Sequence, residues 1–458
     1  EYANLSVQTG LGIPEGQLDL DSQSDSNMQQ IAIEAASIAL LHKPLGDLIK
    51  KEGLEQLNNE IELPLINVLA EMEFSGIQVD LEGLECLKAR LESEVSKARK
   101  KVHQLAGQEF NVNSTKQLQQ VLFTDLSLEP RKKTKTGYST DAQTLEKMRG
   151  DHPIIEELLE YREVEKLRST YGQGLLNEVG SDERIRATFH QTVTATGRLS
   201  SVSPNLHNIP VRTEKGKVFR EVFVAQNNHR LLVADYNQIE LRCIAHLSSD
   251  PGLINAFNDG QDIHTATAAQ VFGVNDADVT KAQREKAKMV SYGLAYGMEA
   301  YGLAQRLGIE NKEAAKILND YFSAFPSVKE YMDKAVNQAK EKGFTKTLFG
   351  RKRKIPELKS SNSRVRGAAE RQAMNAGIQG LAADIFKVAL VNLNKRLKDD
   401  NLNSAIILQV HDEVILECPM DELAQAQELT LEEMESAFNL KVPLEVHMSS
   451  GMTWAEAK

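Results

Sequence analysis

TKAQREKAKMVSYGLAYG, residues 280–297, is the stretch from which the rest of the chain can be read outward. Thr280 with Gln283 three places on forms a capping box, which predicts a helix start. Arg284, Lys288, Tyr292 and Tyr296 then recur at every fourth position. Each such step turns a helix by about 400°, so the side chains drift only about 40° per step and share one broad face. From Arg284 to Tyr296 that face rises roughly 18 Å at about 1.5 Å per residue. Two cations at one end and two aromatic rings at the other suit a ligand with a polyanionic tail and a flat base, as in a nucleoside triphosphate. The same pattern also describes an ordinary amphipathic helix with a solvated basic turn and a buried aromatic turn.

Two distant stretches bear on that choice. RLLVADYNQIELR, residues 230–242, is an apolar run ending in Asp235. AIILQVHDEVILE, residues 405–417, is a pair of apolar runs flanking His411, Asp412 and Glu413. Each predicts a strand that delivers a carboxylate at its end or turn. Two aspartates brought together from separate strands make an oxygen-rich site for Mg²⁺, which prefers carboxylates completed by substrate phosphates.

With these residues the sequence closely resembles family A DNA polymerases, the DNA polymerase I type. Asp235 begins the motif DYxQIELR, residues 284–297 match RxxxKxxxYGxxYG, and residues 411–413 match HDE. Three long motifs in the family's order are a specific signal. The resemblance runs from about Ile61 to the C-terminus and more faintly before it. It implies an α+β right-hand fold with an antiparallel-sheet palm, helical fingers and a helical thumb. Residues 1–60 would be the remnant of a degenerate 3′–5′ exonuclease domain with its connector. Residues 61–180 would form the thumb, 181–244 the first part of the palm, 245–369 the fingers, and 370–458 the second part of the palm.

Composition sets outer bounds. The chain has 458 residues, enough for several domains, and is 41% hydrophobic. Its three cysteines, Cys86, Cys243 and Cys418, lack metal-ligand or disulfide spacing, which suits a reducing compartment. No run approaches the roughly 20 apolar residues of a membrane helix, and no signal peptide is visible. Glu1 in place of methionine marks an expected fragment or processed form. The resemblance implies a bacterial-type cytoplasmic, nucleoid-associated monomer. The net charge of −11 argues mildly against a nucleic-acid partner globally, but local basic clusters matter more.

Along the chain, residues 1–27 read as loop and Gln29 to Leu41 as helix. By position this helix resembles the end of the upstream exonuclease domain, yet Glu34 is followed by Ala35, Ala36 and Ser37 where that motif carries an acid. No proofreading is expected of this chain. Leu63 to Phe74 forms a second apolar helix, and Asp80 caps a long third one whose leucines and valines keep three-and-four spacing. Asp151 with Pro153 opens another long helix. Between these two the basic tip RKKTKTGYST includes Lys132, Lys133 and Lys135. Such a tip reads by itself as solvated surface, and in the context of the family's thumb as a phosphate contact. Residues 192–210 are polar and turn-rich and match the family's TGRLSS and NLxNIP motifs, which implies that Arg198 reaches the minor groove near the primer terminus, with Asn205 and Asn208 along the duplex. His207 departs from the usual Gln there. Asn311 is expected to cap a further helix, Pro326 to break it and Gly343 to end the next. Arg371, Asn375 and Gln379 recur at steps of four on one helix face, and their amide and guanidinium tips suit minor-groove and phosphate hydrogen bonds. A terminal strand over Val442–His447 is expected to complete the palm.

The resemblance also assigns chemistry. Asp235 and Asp412 would hold two Mg²⁺, with Mn²⁺ able to substitute, about 3.5–4 Å apart. The Tyr236 backbone carbonyl would complete one metal's shell, and Glu413 would support the site. Lys288 would act as general acid to the leaving pyrophosphate, with Arg284 and His264 on the triphosphate. Glu240 would exclude a ribose 2′-OH, beside Gln238, while Tyr292 would lie against the incoming sugar and Tyr296 against the nascent pair. His411 joins the DNA-contacting set. The partners implied are primer–template DNA and dNTPs, and the roles implied are replication and repair. A catalytically dead DNA-binding descendant would not keep both aspartates with Lys288, and a template-free nucleotidyltransferase would not need the duplex-facing set.

Overall fold

HRLLVADY has four successive apolar residues, as a strand covered on both faces requires. The computed structural model of the protein describes residues 22–134, 137–209, 214–295 and 297–458, with side chains from residue 31 onward except at 214, 215 and 295. In it this run is strand β1, His229–Tyr236, with Leu231 to Ala234 all buried. Strands β2, Ala405–Val410, β3, Glu413–Pro419, and β4, Val446–Gly451, complete an antiparallel sheet of order β2-β3-β1-β4. The register sets Asp235 opposite Glu413 on one side and opposite His447 on the other. Helix Leu423–Glu435 packs on the sheet, where Met434 accepts a 2.6 Å hydrogen bond from the buried Tyr236 hydroxyl.

The chain divides into two compact units between Asn58 and Asn59. In the first, α1 spans Ser22–Lys51. The loop expected through residue 27 therefore ends sooner, because residues 22–27 contain no Gly or Pro and extending an existing helix costs little.

The second unit contains the rest. Helix α2 is Leu63–Ser75, and α3, Leu81–Ala106, starts at Asp80, whose carboxylate accepts from Gly83 N as predicted. Helix α4, Ile154–Leu167, packs along α3, burying Leu84, Leu87, Leu91 and Val95. Helices α5, Ile239–Ser248, α6, Ile263–Phe272, α7, Lys281–Ala295, α8, Asn311–Ala324, α9, Pro326–Lys342, and α10, Ser363–Asp399, follow. The architecture is α+β, as expected.

Several sequence expectations shift. The terminal strand begins at Val446 instead of Val442, since Pro443 has no N–H for a ladder. Glu310 rather than Asn311 occupies the cap of α8, with no side-chain bond. The boundaries drawn at 244/245 and 369/370 fall inside α5 and α10, so those segments join through unbroken helix. Contrary to the reading of the sequence, α10 is long and apolar enough to cross a membrane, but 72% of its apolar window is buried within the protein, as in a core helix.

The core also encloses four charges. Arg351 Nε donates to Asp384 at 2.6 Å and its other arm reaches Glu62, while Lys387 donates to Glu62 at 2.8 Å. Thr347 closes the set with a 2.6 Å bond to Asp384. Asp384 is 0% and Lys387 1% exposed, so neither charge can be left alone. Burial pushes the Glu62 carboxyl upward, but the Lys387 and Arg351 charges outweigh it and hold the group below its ordinary range. The cluster ties the residue before α2 to α10 and to the loop between strands Phe344–Lys346 and Lys352–Lys354. Lys387→Met leaves Glu62 and Asp384 sharing one cation and is expected to cost about 3–5 kcal/mol in denaturant unfolding; a loss under about 1 kcal/mol would mean that the cluster behaves as an exposed surface pair.

Candidate active site

A two-residue hairpin links β2 to β3, with Val410 paired to Glu413 across it. Its first residue, His411, takes φ +56, a left-handed conformation uncommon for a side chain of this size. The turn carries Asp412 to the end of β1, where Tyr236 N donates to the Asp412 backbone carbonyl at 3.2 Å. Asp235, Tyr236, Gln238, Glu240, Tyr292, His411, Asp412, Glu413 and Lys458 line one cavity of about 270 Å³. Residues from four separate stretches of sequence thus converge. Burial pushes the Asp235 carboxyl up to about 6; the Asp412 charge adds to this, and Lys458 and His447 oppose it. A carboxylate so destabilised gains from an added cation.

Gln238 also has a left-handed backbone, φ +56, at the N-terminus of α5. The next turn places Glu240, 5% exposed, beside the aspartates. Arg198, expected to face the duplex, bonds two acids of the site. It donates to Glu240 at 2.9 Å and to Asp412 at 3.2 Å, forming a bridge inside the site because two acids lie within reach of one guanidinium. Glu413, expected to support the site, is bonded within the protein. Its Oε1 accepts from Trp454 Nε1 at 2.7 Å and its Oε2 from Lys458 Nζ, and the residue is 2% exposed. At the cavity wall the carboxylate is thus held by the C-terminal segment.

His207 stands where Gln is usual, and its ring Nε2–H donates to the Gln409 carbonyl at 2.8 Å. Burial lowers its pKa to about 4, so the ring is neutral and bonds β2 just before the hairpin. The His411 ring lies 5.9 Å from it, at the exposed turn. Asn205, just before the short turn Leu206–Asn208, and Asn208, its last residue, are exposed.

The predicted capping box is present: Gln283 N donates to Thr280 Oγ1 at 3.2 Å and Thr280 N to Gln283 Oε1 at 2.9 Å. Arg284, Lys288 and Tyr292 lie on α7, and Tyr292 reaches the cavity wall. Tyr296 falls outside the described residues, as does Lys135. Arg284 donates to Asp262 at 2.6 Å. That aspartate also caps α6 through His264 N and Thr265 N, a double role that sequence reading missed although Asp262 directly before an apolar run signals a cap. His264 is not the cation that a phosphate contact would favour. It is 3% exposed, its ring centre is 5.6 Å from that of Tyr292, and burial lowers its pKa to about 4.

On α10, Arg371 donates to Glu299 at 2.8 Å, Asn375 is buried, and Gln379 is half-buried. Gly297, at φ +69, packs against this face. A Cβ there would lie 2.5 Å from Asn375 Nδ2 and 3.2 Å from Arg371 Cβ, so only glycine fits. At the basic tip Lys132 pairs with Asp141 at 3.2 Å and Arg131 with Asp151 at 2.9 Å, leaving the exposed Lys133 to present its charge outward.

The sequence profile described as DNA polymerase family A matches residues 81–456. DNA polymerase I of Geobacillus stearothermophilus is 47% identical over 432 residues, 94% of this chain and 49% of that protein. DNA polymerase I of Caldicellulosiruptor bescii is 48% identical over 426 residues, 92% of this chain and 50% of that protein. The chain therefore spans about half the length of these relatives. Among solved structures, the POL domain of Pol1 from M. smegmatis, in complex with DNA primer-template and dNTP, superposes with a TM-score of 0.89 at 45% identity, covering 94% of this chain and 76% of that one. With its three motifs converging on one cavity and this profile covering most of its length, the chain belongs to DNA polymerase family A.

Proposed function

We propose that this chain is a template-directed DNA polymerase that joins a dNTP to a primer 3′-OH and releases pyrophosphate. The observation that carries the reading is the convergence of Asp235, Asp412, Glu240 and Tyr292 on one cavity beside a helix that also bears Arg284 and Lys288. The similar M. smegmatis structure, which holds primer-template and dNTP, supports the same substrates here. In this reading residues 61–180 act as thumb, 245–369 as fingers, and 181–244 with 370–458 as palm.

The donor set fits divalent cations. Asp235 and Asp412 repel one another in a partly buried site, and a divalent ion relieves that repulsion. Among the described residues no group of three or more His, Cys, Asp and Glu converges to hold an ion alone, so substrate phosphates would complete the shell. Asp235 and Asp412, with the Tyr236 carbonyl, would hold Mg²⁺, which when bound supplies charge neutralisation for the attacking and departing oxygens.

The chain's own residues do the rest. As the primer hydroxyl releases its proton to water and its oxygen bonds to the α-phosphorus, the bond to the bridging oxygen breaks, and Lys288 donates a proton to the departing pyrophosphate. Arg284 exchanges its bond to Asp262 for the triphosphate. Arg198 leaves Asp412 for the primer end, and Arg371, Asn375 and Gln379 contact the duplex. Glu240 closes the space of a 2′-OH, and Tyr292 lies against the sugar.

Primer extension with and without a template strand tests the reading: product is expected only with template. Asp235→Ala and Asp412→Ala are expected to reduce extension by about 10³-fold or more with primer–template affinity largely kept, since both act through cations that stabilise the transition state; near-wild-type extension by either variant would remove it from the metal set. Glu240→Ala is expected to raise ribonucleotide use relative to deoxynucleotide use by about tenfold or more in single-turnover incorporation. In competition between dideoxynucleotides and deoxynucleotides, Tyr292→Phe is expected to discriminate roughly 5- to 150-fold more strongly against terminators, because the phenol hydroxyl replaces the missing 3′-OH as a partner.

A further inference from the structure

We propose that Lys458 is a resident counter-cation of the active site and that, with Trp454, it holds Glu413 out of the metal-ligand set as a positioning residue. The inference rests on the polymerase reading above. Asp235 and Glu413 are direct cross-strand partners, so their side chains leave the same face of the sheet. Glu413 and Asp235 line the same cavity. Its two oxygens are nevertheless already engaged, one by the Trp454 indole N–H at 2.7 Å and the other by the Lys458 ammonium.

Both donors are delivered by a fixed segment. Trp454 is fully buried, its ring meets Phe223 edge-on at 5.6 Å, and its backbone N donates to the Phe223 carbonyl at 2.9 Å. Ala225 N donates to Met452 at 2.8 Å and Ala457 N to Thr453 at 3.1 Å. Lys458 leaves this anchored turn to line the cavity that contains Asp235 and Asp412. Charge balance gives the arrangement its meaning. Lys458 brings a positive charge to a cavity lined by Asp235, Glu240, Asp412 and Glu413, where Arg198 bonds Glu240 and Asp412. Removing Lys458 would take that charge away and release Glu413 to bind cations itself.

Mn²⁺ binding to the protein without DNA or nucleotide, followed by water-proton relaxation, tests this apart from turnover. Lys458→Met is expected to bind Mn²⁺ about tenfold more tightly, as loss of a like charge a few ångströms away implies. Lys458→Arg, which keeps the charge, is expected to bind as the unaltered chain does, and Trp454→Phe, which loses only the indole N–H, to tighten binding less than Lys458→Met. Thermal unfolding of each variant checks that it is folded, and Lys458→Gln stands in if the methionine variant is not. Unchanged or weaker binding by folded Lys458→Met, while Asp235→Asn and Asp412→Asn still abolish it, overturns this inference alone. Undiminished binding by Asp235→Asn overturns the site reading and the inference with it.

Discussion

The proposed chemistry depends first on one antiparallel register, the pairing of Asp235 with Glu413. A slip of one residue would turn Asp235 to the opposite face and bury it under the helix that covers the sheet. The ladder resists this because Leu231 to Ala234 are buried and both neighbouring strands pair with β1 along its length. The strained His411 turn persists for the same reason: strands on both sides of it determine where its ends must lie. His207 adds a lateral tie to β2 just before the turn. A short and strained hairpin can thus hold Asp412 at the end of β1.

Electrostatics separates scaffold from site. The buried cluster of Glu62, Asp384, Arg351 and Lys387 is balanced, two charges against two, and its members are saturated with bonds to one another. Arg184 and Glu417 repeat the balance one to one at 2.8 Å. At the cavity Asp235, Glu240, Asp412 and Glu413 come together, and burial, with the Asp412 charge added to it, raises the Asp235 pKa. A carboxylate raised in this way, in a cleft beside a second acid, marks a candidate site for a cationic ligand. Arg198 and Arg284, each bonded to a carboxylate, are held in place by partners that an anionic ligand can replace.

Much of this was legible in the sequence because it is local. The capping box, the spacing of Arg284, Lys288 and Tyr292 on α7, and the apolar runs of β1 to β3 are short-range patterns, and each appears as written. The bridge from Arg198 to Glu240 and Asp412 spans 42 and 214 positions and depends on how three separate segments meet. No periodicity encodes it. The roles first read for His264 and Glu413 came from residue type and position, whereas burial and the second partner decide what such groups can do. The Trp454 and Lys458 contacts escaped notice because a single tryptophan near a terminus looks like ordinary packing until its N–H partner is seen.

Helix α10 has a mechanical consequence. Its 37 residues contain no proline and form one rod of roughly 55 Å at about 1.5 Å per residue. Near one end it meets Gly297 through Arg371 and Asn375, and further along it carries Lys387 of the balanced cluster. A stiff beam held at the cluster behaves as a lever, and small rotations there become larger displacements further along it. The 16 positions from Arg371 to Lys387 make an arm of about 24 Å, so a tilt of about 5° moves the Gly297 contact by roughly 2 Å. The buried charges would then do more than stabilise the fold. They would form the fulcrum that sets how far the Gly297 contact can travel.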